Sequence, residues 1–124
     1  MTLNRLMIRK FWNWLFGGQG VGLLSAEERR AIFCVRSGKW RRTRDAFLES
    51  NPCCAACGST ENLAVHHVIP VHVDGERELD ENNFIVLCQN RTLNCHFLFG
   101  HLLNWSKYNQ DVRKDAKIWR EKLG

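Results

Sequence analysis

The chain has 124 residues, 44% of them hydrophobic and 25% charged, with a formal net charge of +5. That length suits one domain, or one small domain with helical arms, and the basic balance favours an anionic partner without identifying it. No apolar stretch approaches a transmembrane span, and Arg5, Arg9 and Lys10 interrupt the first twenty residues where a secretory signal needs a continuous apolar run.

Residues 3–16 place Leu3, Leu6, Met7, Phe11, Trp14 and Leu15 near helical spacing, with basic residues between them. Two readings stand: a short helix packing on the domain or a partner, or an arm lying on a membrane surface or a DNA backbone. The run Gly17-Gly18-Gln19-Gly20-Val21-Gly22 reads as a flexible linker. Residues 1–24 thus form an amphipathic basic arm and linker, and 25–124 the folded domain. Ser25 followed by Glu28 has the capping-box pattern and predicts a helix start. A second helix is expected from Lys39, with Trp40, Phe47 and Leu48 near one face, ending at Asn51-Pro52 because the residue before Pro avoids helical angles. Lys39, Arg41, Arg42 and Arg44 on it are candidate phosphate contacts; the alternative is a solvated helix face. Residues 25–52 are the leader helices.

Residues 53–104 carry the chemistry. Six Cys and five His occur in the chain. Without a secretory signal a reducing, cytoplasmic setting is expected, where paired cysteines usually mean metal. Cys54-Ala-Ala-Cys57-Gly58 is half of a zinc knuckle: two intervening residues turn both thiolates onto one ion, and the following Gly permits a positive φ. Cys88 and Cys95 are the candidates for the second pair, although six intervening residues exceed the usual spacing and must loop out. Alternatively, Cys95 is simply a buried apolar residue. Cys53 adjoins the knuckle, but only Cys54 has the two-residue spacing to Cys57; Cys34 reads as an ordinary buried cysteine. A closed four-sulfur Zn²⁺ site builds structure rather than doing chemistry.

Between the cysteine pairs, residues 63–70 read as a strand stopped by Pro70, and 83–88 as its partner. Glu76, Glu78, Asp80 and Glu81 in the connecting loop read as solvated acids. His72 is either a phosphate contact or merely exposed. A helix is expected to open at Cys95-His96, and a C-terminal packing helix to run over 111–122 within the segment 105–124, with Val112, Ala116 and Trp119 inward and Asp111 as cap. The fold class is therefore α+β.

The motifs Cys54-x-x-Cys57-Gly58, Val65-His66-His67-Val68-Ile69-Pro70, Asn83-Phe84-x-x-Leu87-Cys88 and Cys95-His96 resemble the HNH endonucleases, the ββα-metal nucleases. The leader Lys39-Trp40-Arg41-x-x-Arg44 and the run 96–101 resemble small phage-type members. The resemblance spans roughly residues 36–105. It implies a small ββα-metal core stapled by a four-cysteine zinc site, flanked by helices, that hydrolyses DNA with a second divalent cation such as Mg²⁺, Mn²⁺ or Ni²⁺. It assigns His67 as general base, His66 and His96 as metal ligands, and Asn83 as the residue holding the His67 ring by a hydrogen bond. A phage packaging protein such as a terminase is the protein partner it suggests. Two departures stand out. The second cysteine pair is four residues longer than in the compact form. His101 is five residues after His96 rather than four, about 140° away from it on a regular helix, so its place as a third ligand depends on a distortion near Gly100. A zinc-knuckle module that binds nucleic acid without cleaving it is the competing reading. It leaves His67, Asn83 and His96 without a purpose.

Overall fold

A computed structural model describes residues 36–124. The arm, the linker, the expected helix start at Ser25 and Cys34 lie outside the described residues. The helix α1 spans Trp40–Ser50 and ends at Asn51, whose backbone N–H and side-chain amide both donate to the Phe47 carbonyl. Strands β1 (Leu63–His67) and β2 (Phe84–Cys88) form an antiparallel pair in the register Leu63 with Cys88 to His67 with Phe84. A short π-helical turn, His96–Gly100, follows, and helix α2 spans Val112–Leu123. Helices with a small sheet make the fold α+β, as expected.

Alternation along the strands decides what each face meets. His67 and Phe84 share one face, against which α1 sets Trp40 and Phe47: Trp40 lies 4.5 Å from the His67 ring and 5.5 Å from Phe84, and Phe47 lies 5.2 Å from Phe84. His66 and Ile85 share the other face, which meets the π turn. β2 is buried along its whole length.

The main core comprises Cys54, Ala56, Ile85, Leu87, Cys88, Cys95, Val112 and Ala116. Its largest fully buried side chains are Leu87, Val112 and three cysteines. An interior this poor in large aliphatics buries too little surface to hold a small domain alone.

Three local expectations change. β1 stops at His67 rather than at residue 70. Val68 N still donates to the Asn83 carbonyl, but at Ile69 the Asn83 side chain replaces the ladder. Asp111 makes no side-chain cap on α2. Asn109 does the local tying: its Oδ1 accepts from Asp111 N, and its amide donates to Asp115 and to the Phe99 carbonyl. Glu78 is not a solvated acid: it is 2% exposed, and its carboxylate accepts from Ser37 N at 2.6 Å.

Candidate metal and catalytic centre

Cys54, Cys57, Cys88 and Cys95 converge, with their sulfurs within 4.8 Å of one another. Gly58 takes φ +78° directly after the knuckle, and its N–H donates to the Cys54 carbonyl. Ala55 N donates to Val86 O, which fixes the knuckle to β2. The long link to Cys95 does loop out. Gln89 N donates to Asn62 O, and the Asn90 side chain bridges Asn62 and Ser59.

The Cys57 and Cys88 sulfurs are 3.6 Å apart, far beyond a disulfide and close to the roughly 3.8 Å edge of a tetrahedron with zinc–sulfur bonds of about 2.3 Å. Burial raises the Cys57 and Cys95 thiols. It also raises Cys88, but the Cys95 and Asn90 backbone groups outweigh that and bring Cys88 down to about 7. Four crowded sulfurs cannot all ionise without a cation, and the donor set fits zinc.

The second cluster is His66, His96 and His101. His96 Nε2 lies 3.0 Å from His66 Nδ1 and 3.2 Å from His101 Nε2. Nitrogens around one ion with bonds of about 2.0–2.1 Å stand about 2.8–3.0 Å apart in octahedral and about 3.3–3.4 Å in tetrahedral geometry. His66 Nε2 is buried and has no hydrogen-bond partner among the described residues. Burial, then the charges of His96 and His101, carry the His66 pKa down to about 3; burial, then His101, carry His96 down to about 4. Both imidazoles are thus neutral at pH 7, the form that ligates metal. His101 Nδ1 lies 2.7 Å from the Lys107 carbonyl. A carbonyl only accepts, so Nδ1 carries the proton and Nε2 is free. His96 Nδ1 meets the Gln89 amide at 2.7 Å; ligation through Nε2 puts the proton on Nδ1 and turns the amide oxygen toward it.

His101 reaches this cluster because residues 96–100 are π-helical. An i→i+5 turn brings the fifth residue back over the first, as an α-helix does the fourth. Gly100 lets the His66 ring approach the inner side of the turn closely, since a Cβ there would stand 3.0 Å from it.

His67, next along β1, points to the opposite face, as a flat strand requires. Because β1 ends there, both histidines line one cleft of about 330 Å³. His67 Nε2 lies 2.8 Å from the Glu78 carbonyl. It must donate, so Nδ1 keeps its lone pair. Burial lowers the His67 pKa.

Asn83 does not hold this ring. Its Oδ1 accepts from Ile69 N, and its amide donates to Ile69 O and Arg77 O. It fixes the loop that carries Glu78, and the Glu78 carbonyl holds the ring. The resemblance alone could not distinguish a side chain touching His67 from one that positions the residue touching it.

Among the basic residues singled out, Lys39, Arg41 and Arg42 are exposed, while Arg44 pairs with its neighbour Asp45 at 3.0 Å. None lines the cleft. The basic groups that do are Arg36, 5.2 Å over the Trp40 ring, and Lys107, together with His72. Sequence reasoning missed Arg36, Gln89, Trp105 and Lys107, which belong to no motif; Glu78 offered only a buried carbonyl, which residue type does not advertise.

Residues 54–97 match the family model described as HNH endonuclease. The match covers about a third of the chain and stops short of His101. No curated protein and no solved structure matches the chain. Among the described residues no helix is long and apolar enough to cross a membrane.

Proposed function

We propose that this chain, which carries an HNH endonuclease domain at residues 54–97, hydrolyses phosphodiester bonds in DNA with a divalent cation held by His66, His96 and His101. The observation that carries the reading is the convergence of three histidines, two of them kept neutral by burial, beside a fourth whose tautomer is fixed.

In this reading His67 Nδ1 takes a proton from a water molecule as the water oxygen bonds to phosphorus. The bond from phosphorus to the leaving sugar oxygen breaks, and that oxygen is protonated from solvent. The Glu78 carbonyl stabilises the imidazolium formed at His67, because it already accepts from Nε2. A cation at the three-histidine cluster, such as Mg²⁺, Mn²⁺ or Ni²⁺, supplies charge neutralisation on the phosphate and the leaving oxygen. Arg36 and Lys107, at the cleft wall, hold the flanking phosphates. The four cysteines hold Zn²⁺ as the structural staple.

The test is supercoiled plasmid incubated with purified protein and each of Mg²⁺, Mn²⁺ and Ni²⁺. Nicked or linear product with at least one metal supports the reading. Plasmid bound but intact with every metal leaves the non-cleaving nucleic-acid-binding module.

A further inference from the structure

Directly after the third histidine the chain does something costly. Leu102 and Leu103 both adopt left-handed backbone angles, φ 54° and 63°. Consecutive non-glycine residues rarely do so, and such strain persists where the surroundings impose it. Here the turn is imposed by Leu103 N donating to Phe97 O, Asn104 N donating to His101 O, and the Asn104 side chain accepting from Ser106. The strain does not serve burial: Leu102 is 51% and Leu103 61% exposed. Trp105, 56% exposed, sets its ring tilted 4.8 Å from His101 and edge-on 5.3 Å from His96. A braced turn thus presents two leucines to solvent beside the histidine cluster.

We infer that Leu102 and Leu103 form a wedge that enters the minor groove of duplex DNA and unstacks a base step next to the scissile phosphate. This rests on the nuclease reading for the position of the phosphate. Apolar side chains inserted between base steps are an established way of kinking a duplex. Charge selects the partner: the turn joins His101 to Trp105, which line a cleft with Arg36 and Lys107 on its wall, in a chain of net charge +5, which suits an apolar stack between two phosphate rails. Reach sets the place. Successive Cα atoms are about 3.8 Å apart, so Leu103 lies within about 8 Å of His101, roughly two base steps of about 3.4 Å. Flexible pyrimidine–purine steps unstack most easily, so cuts should concentrate within about two base pairs of TA and CA/TG steps.

The experiment uses the full chain and the double variant L102N/L103N. Asn tolerates left-handed angles, so the turn is kept or relaxed, and an unlowered melting temperature verifies it. The probe is a duplex with 2-aminopurine at a TA step, alongside the same duplex carrying a two-nucleotide bulge that supplies the kink. The wild type should raise 2-aminopurine fluorescence about threefold, and the variant should leave it flat. Duplex cleavage should fall about tenfold or more in the variant and bulged-duplex cleavage about threefold at most. Equal fluorescence and equal duplex cleavage in both proteins overturn the wedge. So does a variant that distorts DNA normally but no longer pellets with phosphatidylglycerol vesicles, which makes the leucines a membrane contact. The two readings fail separately: distortion without cleavage under any metal sinks the nuclease and keeps the wedge, whereas cleavage without distortion does the reverse.

Discussion

Gly100→Ala separates the metal site from the fold. Gly100 is buried in the π turn, and an ideal Cβ there would stand 3.0 Å from His66 Cε1, 3.1 Å from Nδ1 and 3.2 Å from Nε2. Ordinary contact begins at 3.4 Å, so the ring must retreat by about 0.4 Å, twice the roughly 0.2 Å latitude of a metal–ligand bond. Misplacing one of three ligands should weaken cation binding about 10- to 100-fold, as disturbing a ligand's supporting shell does, or about 1.4–2.8 kcal/mol. The metal-free protein should respond oppositely, because Ala in a helical turn is favoured over Gly by roughly 0.5–1 kcal/mol. Calorimetric titration with Ni²⁺ on zinc-loaded protein reads the first effect, and thermal melting without added metal the second. Wild-type Ni²⁺ affinity in the variant would refute the placement of His66 against Gly100. A collapse in metal-free stability would show that Gly100 serves the fold.

Three further outcomes are expected. Asn83→Ala removes three hydrogen bonds to the 69–77 backbone; stability should drop by about 1–3 kcal/mol and kcat should fall as the Glu78 carbonyl loosens, while zinc content stays. Asn83→Asp, which keeps the acceptor for Ile69 N, should fall between. The histidines make the metal-free protein acid-sensitive. His66 and His96 have pKa values below the unfolded 6.5, so the unfolded chain binds more protons and stability is lost as pH falls from 6.5 toward 4, at about 1.4 kcal/mol per pH unit per histidine. Urea midpoints across that range check the sign; a flat profile contradicts it. Stripping metal from the four-cysteine cluster with a strong chelator, or Cys57→Ser, should abolish cooperative melting, because so small a core is built around the cysteines. Circular dichroism with atomic absorption tests this.

The sequence made the parts legible wherever residue type and spacing carry the physics. Pro52 ended α1, alternation paired β1 with β2, and Cys54-x-x-Cys57 marked half of the four-sulfur cluster. The stretched Cys88–Cys95 link could be read only as a departure, because its closure depends on Asn62 and Asn90 meeting across space. His101 was undecidable from helical periodicity, since the deciding feature is a π turn that no local pattern marks. Asn83 was assigned the right neighbourhood and the wrong contact. The basic groups at the cleft, Arg36 and Lys107, are far apart in sequence and come to one cleft only through the fold, whereas the basic cluster at 39–44 lies outside it.

The most direct test of the central claim is single-turnover cleavage of plasmid by His67→Ala beside the wild type, with Mn²⁺, across pH 5 to 8. The wild-type rate should fall only as pH drops through the depressed His67 pKa, holding its plateau to below pH 6.5. The variant should lose about 10²- to 10⁴-fold, lose that pH dependence, and keep its zinc. A variant that cleaves at the wild-type rate with the same pH profile would contradict the assignment of His67 as the base.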